Sequence, residues 1–122
     1  RDDDMTPFVP FLDWGIPTLD CLIAVTKSRP KTFRHEHLII ASGGLRHGLD
    51  AMRAYWLGAD MTSLAGSMLK QLLDDDKTPS SDQLGQFAAE LKQQMALTLF
   101  LTGAPNLAEF RRKPAWLDGQ AL

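Results

Sequence analysis

Two short apolar stretches interrupt a chain whose hydrophobic residues otherwise recur at helical spacing. Residues 37–42 (His-Leu-Ile-Ile-Ala-Ser) lack polar alternation, which is typical of a strand covered on both faces in a parallel sheet. Residues 61–65 (Met-Thr-Ser-Leu-Ala) form a second candidate strand. Gly43 and Gly44 follow the first stretch, and Gly66 follows the second. The pattern therefore predicts two strands that each run into a glycine loop.

Outside these strands, apolar residues fall three and four positions apart, which is the spacing of one helical face. Thr18 and Ser67 can each cap a helix start, and Asn106 with Glu109 has the spacing of a capping box. The longest apolar stripe begins after Asp82 and ends at Gly103. The predicted helices cover residues 18–28, 49–56, 67–73, 82–102 and 106–112.

The alternation of helices and strands predicts βαβ units and a parallel sheet, and hence an α/β fold. Two strands cannot close such a sheet, and a complete (β/α)₈ barrel needs roughly 250 residues. The chain has 122 residues and begins at Arg1 without an initiator methionine. We therefore expect a piece of a larger domain.

Composition excludes several classes of function. Hydrophobic residues make up 44% of the chain and charged residues 23%, with a formal charge of −2. This balance indicates no nucleic-acid or anionic-membrane partner, and the apolar runs are shorter than the roughly 20 residues that span a bilayer. The lone Cys21 cannot form an internal disulfide. We expect a cytoplasmic globular protein.

The two glycine loops are the strongest candidates for a binding site. The amides of residues 43–46 could surround an anion ahead of the next helix, with Arg46 as a cation. Ala65 and Gly66 repeat the same order of strand end, glycine and helix start. Successive βα loops of a barrel lie on one face, where phosphate sites commonly form. The alternative is that both loops are plain turns and Arg46 is a surface cation.

Two segments are distinctive: Asp-Trp-Gly-Ile-Pro-Thr, within residues 11–18, and Leu-Thr-Gly-Ala, within residues 99–104. Together with several others, they resemble segments of type 2 isopentenyl-diphosphate isomerases, in the same order and at similar spacing. Ser-Gly-Gly-Leu-Arg and Leu-Gly-Ala are shared by many flavin barrels. The resemblance extends from about Phe11 to Arg112. The segments that carry it are residues 11–18, 40–46, 48–50, 57–60, 99–104, 106–109 and 111–112.

The resemblance implies the C-terminal portion of a (β/α)₈ TIM barrel, with its last two strands and helices 6–8. Residues 1–13 would be a loop, residues 14–112 barrel units and residues 113–122 a tail. It also implies a site for the phosphate of FMN. Trp14 would lie near the loop that covers the active site, although simple packing explains an exposed tryptophan equally well. The implied FMN ligands are Gly43, Gly44, Leu45, Arg46, Ala65 and Gly66.

The implied activity is the interconversion of isopentenyl and dimethylallyl diphosphates by an allylic 1,3-proton shift. Reduced FMN would act as acid and base, Mg²⁺ would neutralise the diphosphate, and NADPH would keep the flavin reduced. The family's catalytic Gln, metal-binding Glu and flavin-contacting Lys lie in its N-terminal portion, so no catalytic or metal-binding residue is expected here. The implied partners are the isoprenyl diphosphate substrate, the remaining N-terminal half of the barrel and further copies in a homo-oligomer.

Two rival interpretations stay open. A 2-hydroxy-acid oxidase is another FMN barrel enzyme, but such enzymes usually have an acidic residue where Ser42 stands and a His-x-x-Arg pair upstream. A non-enzymatic phosphate-binding α/β module is the second rival, and flavin titration would separate it from the enzymes.

Other chemically capable residues suggest simpler roles. His35 and His37 make a poor metal site without a third ligand. His47 is expected beside the glycine loop, and Cys21 as a buried or half-buried thiol. Two polar stretches, residues 74–76 and 111–113, are expected to be solvated.

Overall fold

The computed structural model describes residues 6–11, 14–28, 37–73, 81–114, 116–117 and 120–121. After a 3₁₀ helix at Thr6–Phe11, nine regular elements follow in these ranges. They are α1 (Thr18–Lys27), β1 (Ile40–Ser42), α2 (Gly48–Trp56), β2 (Met61–Ser63), α3 (Ala65–Leu73), α4 (Ser81–Leu101), α5 (Leu107–Arg111), β3 (Trp116–Leu117) and β4 (Gln120–Ala121).

The strands β1 and β2 are parallel neighbours, with Ile40 opposite Met61 and Ser42 opposite Ser63. Helix α2 is the crossover between them, so the predicted βαβ unit and the α/β class are confirmed. The tail adds a small antiparallel pair, β3 and β4, which sequence patterning does not indicate.

Both predicted strands are longer than the observed ones, and one expectation about their burial is wrong. Ala41 is 4% exposed, whereas Ile40 is 56% exposed and its partner Met61 is 50% exposed. Since alternate residues of a strand face opposite sides, helices cover only one face of β1 in the described part of the chain. The continuous apolar run is therefore not evidence of two covered faces within this segment.

Two small hydrophobic clusters form the core of the part of the chain that the structure describes. The first lies between the sheet and helices α1 and α2, and its buried members are Leu22, Ala41, Leu45, Ala54 and Ala59. The second joins α2 to α5 through Met52, Ala104 and Phe110, with Met95 and Leu99 of α4 packed against it. Met52 is fully buried, and burial of such a side chain contributes about 2 kcal/mol. Helix α2 therefore belongs to both clusters and holds the glycine loop that precedes it.

Helix α4 approaches the start of α2 closely. A Cβ on Gly48 would lie 2.7 Å from both the Leu91 carbonyl oxygen and the Gln94 Cβ. The Gly48 N–H donates to the Gln94 Oε1 at 2.6 Å. Leu91 at this contact belongs to the predicted apolar stripe of α4. Near the C-terminal end of the helix, Leu97, Phe100 and Leu101 are exposed. Among the described residues, no helix has both the length and the apolar character to cross a bilayer.

Candidate functional site

The glycine loop after β1 and the start of α3, where Gly66 lies, open onto one cavity of about 820 Å³. Its walls are the end of β1 with the loop after it, and the end of β2 with the first turns of α3. All six residues named from the sequence as phosphate ligands line it. The lining consists of Ser42, Gly43, Gly44, Leu45, Arg46, Ser63, Leu64, Ala65, Gly66, Ser67, Lys70 and Gln71.

Glycine is required in the first wall by backbone geometry. Gly43 has φ of +94° and Gly44 has φ of +70°. Residues that carry a Cβ rarely adopt this backbone conformation. A Cβ on Gly44 would meet nothing within 4 Å. The loop therefore needs glycine at position 44 for its turn, and the space beside that residue is open.

Thr18 anchors this loop from outside the cavity. Its Oγ1 donates to the Gly43 carbonyl oxygen at 2.8 Å, so the carbonyl is turned towards α1. The same hydroxyl would lie 3.3 Å from a Cβ placed on Gly43. The threonine that closes the Asp-Trp-Gly-Ile-Pro-Thr segment thus fixes the backbone of the glycine loop.

The second wall is the N-terminus of α3. The first amide of that helix to find a helical acceptor is that of Met68, which donates to the Leu64 carbonyl oxygen at 3.1 Å. The amides of Ala65, Gly66 and Ser67 precede it and have no acceptor within the helix. A Cβ on Gly66 would meet nothing within 4 Å. This wall therefore presents free N–H donors with the positive end of the helix dipole.

Ser67 does not cap α3 as the sequence suggests, because the helix already begins at Ala65. Its Oγ instead lies 3.0 Å from the Leu64 carbonyl oxygen and 3.2 Å from the Leu45 carbonyl oxygen. The single hydroxyl proton is shared between these two acceptors, and this shared hydrogen bond links the two walls.

The role expected for the Arg46 amide needs correction. This N–H donates to the Asp50 Oδ2 at 3.1 Å, so it cannot join the amides of residues 43–45 around an anion. The Arg46 side chain is 76% exposed, with its Nε 3.6 Å from the same Asp50 oxygen. Arg46 can therefore contribute its terminal guanidinium nitrogens, but not its main chain.

His47 has a structural role that the sequence interpretation missed. Its Nδ1 accepts a hydrogen bond from the Asp50 N–H at 3.3 Å and thereby caps α2. The same nitrogen lies 3.5 Å from the Asp50 Oδ2. Because Nδ1 uses its lone pair to accept the amide proton, it has no proton of its own to share with this carboxylate oxygen. The sequence feature that could have indicated this cap is the His-x-x-Asp spacing, because an N-cap side chain commonly accepts from the amide of the third helical residue.

Lys70 and Gln71 were also missed. They follow Gly66 and Ser67 by one helical turn, and so share their face of α3. Within the described ranges, the cavity lining contains two cations, Arg46 and Lys70, and no carboxylate. Open space at both glycines, free amides and a positive lining together suit a phosphate monoester.

The remaining candidates lie elsewhere. The Trp14 side chain is 80% exposed, outside the lining of this cavity, and its ring packs edge-on against Phe11 with centroids 6.3 Å apart. Cys21 is exposed, so the expectation of a buried or half-buried thiol is wrong. Arg111 pairs with Asp60 at 3.2 Å.

Metal chemistry has no support within the described ranges, where no group of three potential ligands is close enough to hold an ion. Arg112 pairs with Glu109 at 2.7 Å on the exposed surface of α5. His35, one member of the weak metal pair, and residues 74–76, which are expected to be solvated, lie outside the described residues.

Comparison with known proteins gives consistent matches. The profile of the family described as FMN-dependent dehydrogenase matches residues 11–117. A protein of Xanthobacter autotrophicus named isopentenyl-diphosphate delta-isomerase is 36% identical over 104 residues, which cover 85% of this chain and 27% of that protein. Proteins of the same name from Chlorobium luteolum and Stutzerimonas stutzeri are 37% and 36% identical, over 82% and 84% of this chain and 26% and 27% of their own lengths.

The chain thus spans about a quarter of the length of these relatives. The resemblance derived from the motifs is confirmed by these matches.

Proposed function

This chain belongs to the FMN-dependent dehydrogenase family, and on that premise we propose that it forms the FMN-phosphate cradle of a type 2 isopentenyl-diphosphate isomerase. One observation carries the proposal. The loop at Gly44 and the first turn of α3 at Gly66 line the same cavity, although 22 positions separate these glycines along the chain.

The described residues would hold the cofactor through its phosphate. The amides of Gly44 and Leu45 and those at the start of α3 would donate to the phosphate oxygens, and Arg46 and Lys70 would balance their charge. Small residues at positions 44 and 66 would let the ligand approach the backbone. The sequence thus supplies binding and orientation, while the chemistry belongs to the cofactor.

When bound in its reduced form, FMN supplies acid/base chemistry at a ring nitrogen for an allylic 1,3-proton shift. The proposal includes Mg²⁺ to neutralise the substrate diphosphate and NADPH as reductant. It assigns neither of them to any described residue. An exposed Cys21 is compatible with the cytoplasmic location that forms part of the proposal.

The proposed architecture is the end of a (β/α)₈ barrel. Ile40 and Met61 leave one sheet face apolar and exposed, and a two-stranded sheet has two unpaired edges. Further parallel strands would pair with those edges and would enclose the bare face as a barrel interior. The remaining length of the relatives, about three quarters, is enough to supply them. A homo-oligomer is proposed from the family resemblance alone.

A 2-hydroxy-acid oxidase is the second candidate, favoured by the dehydrogenase description of the matching family. The full-length protein separates the two candidates. Incubated with FMN, Mg²⁺ and a reductant, it should convert isopentenyl diphosphate to dimethylallyl diphosphate. With lactate under anaerobic conditions, its oxidised flavin spectrum should not change. Bleaching by lactate without isomerisation would overturn the isomerase assignment, and absence of FMN binding would overturn both.

A further inference from the structure

Asp50 is the only carboxylate that is buried within the described residues, and it is 7% exposed. Burying a charge is unfavourable unless the charge is paired and hydrogen-bonded. Here the carboxylate lies directly behind the glycine loop, on the first turn of α2. The hydrogen-bond and ion-pair partners of Asp50 should therefore indicate its role in this part of the structure.

Each oxygen of this carboxylate has its own partners. Oδ2 accepts from the Arg46 N–H at 3.1 Å and lies 3.6 Å from the Arg46 Nε. Oδ1 accepts from the Arg53 guanidinium at 3.2 Å. Oδ2 thus contacts both the main-chain N–H and the Nε of Arg46, whereas Oδ1 pairs with the positive charge of Arg53.

The geometry points to Asp50 as a positioning residue that fixes Arg46 for the phosphate of FMN. The inference rests on the proposed function. With the amide and Nε directed to Asp50, the two terminal nitrogens of the exposed Arg46 guanidinium remain for the ligand, and Arg46 lines the cavity opposite the start of α3. A preorganised guanidinium loses less conformational freedom on binding than a free one.

The sign of the electrostatic effect makes this inference testable. A negative charge beside a phosphate site weakens anion binding through space. If Asp50 acted only through its charge, Asp50→Asn would tighten FMN binding. If it positions Arg46, the same substitution should weaken FMN binding, because an asparagine has one acceptor oxygen and a weaker hold on both groups of Arg46.

The experiment measures the dissociation constants of FMN and of riboflavin for the full-length protein, since riboflavin lacks the phosphate. For Asp50→Asn the FMN constant should rise about tenfold, from the loss of a charge-assisted hydrogen bond. The riboflavin constant should stay within about twofold, because riboflavin has no phosphate for Arg46 to contact. Glu109→Gln is the matched control, since it neutralises a carboxylate in the exposed pair with Arg112, and it should leave both constants unchanged.

Tighter FMN binding by Asp50→Asn, or equal weakening of FMN and riboflavin, would overturn the positioning role. Should that variant fail to fold, Arg46→Lys keeps the charge and the main-chain N–H but removes the guanidinium. It should weaken FMN about tenfold relative to riboflavin, and unchanged FMN binding would overturn the role. Failure of the proposed function is distinguishable, because the unmodified protein would then bind FMN no more tightly than riboflavin.

Discussion

The hydroxyl of Ser67 on α3 lies 3.2 Å from the carbonyl oxygen of Leu45 in the glycine loop and donates to it. These residues stand on opposite walls of the proposed phosphate cradle. No other side chain within the described residues is hydrogen-bonded from one of these walls to the other. The pairing of β1 with β2 sets the positions of the two walls, and Ser67 adds a side-chain link between the two sets of amides.

Ser67→Ala should lower the affinity for FMN by about three- to tenfold and destabilise the full-length protein by about 1 kcal/mol, since one hydrogen bond is lost. Ser28→Ala is the matched control. The Ser28 hydroxyl donates to the Val25 carbonyl oxygen three positions back at 3.2 Å, but makes no bond across a cavity. Flavin fluorescence titration measures the effect, and equal FMN affinity of the two variants would contradict it.

Gly44→Asp should abolish retention of FMN. The residue has φ of +70°, so a side chain strains the turn by about 1–2 kcal/mol. A carboxylate on the cavity wall would also repel the phosphate. Gly85→Asp adds the same charge on the exposed side of α4, where a Cβ meets nothing within 4 Å. The flavin-to-protein absorbance ratio after gel filtration measures retention.

The control should keep its flavin, whereas Gly44→Asp should emerge colourless. If Gly44→Asp emerged with a full complement of flavin, the cradle could not be formed by this loop.

Gly48→Ala should destabilise the protein without any direct contact to the cofactor site. The added Cβ would lie 2.7 Å from the Leu91 carbonyl oxygen on α4, and relief of that overlap requires the helices to separate. Overpacking of this kind costs about 1–3 kcal/mol. Gly85→Ala on exposed α4 should instead stabilise by up to about 1 kcal/mol. Urea unfolding of both variants tests the sign, and a Gly48→Ala variant as stable as the unmodified protein would show that the close approach is unimportant.

The local signals in the sequence were reliable where they determine structure by themselves. The apolar spacing gave residues 18–28 against the observed Thr18–Lys27, and the capping box gave residues 106–112 against Leu107–Arg111. In that box the Asn106 Oδ1 accepts from the Glu109 N–H at 2.9 Å. Glycines after two parallel strands were enough to bring six predicted residues to one cavity.

What the sequence did not indicate depends on contacts that form only in the folded chain. The Arg46 amide looked free because its partner, Asp50, is identified only by the turn that brings the two together. Ser67 looked like a helix cap because its tie to Leu45 spans 22 positions. Cover on both faces of β1 was expected from its apolar run, but the described residues do not cover the face to which Ile40 projects.

That bare face gives a prediction for these 122 residues expressed by themselves. Ile40 and Met61 are opposite each other on β1 and β2, and both are half-exposed. Within the described residues this sheet has two strands, and both of its edges are unpaired there. Exposed apolar strands of this kind associate with each other. We expect the isolated segment to elute as a broad range of oligomers in gel filtration and to unfold without a cooperative thermal transition.

Replacing the two apolar residues separates the sheet face from other sources of association. Ile40→Thr with Met61→Thr should shift the isolated segment towards monomer, because threonine keeps strand propensity and removes apolar surface. Leu97→Thr with Phe100→Thr changes two exposed residues of α4 instead, and serves as the comparison. If only the α4 pair reduced association, the exposed helix rather than the open sheet would drive it. A cooperative transition of the unmodified segment would show that two strands suffice for a stable fold and would remove the main argument for further strands around them.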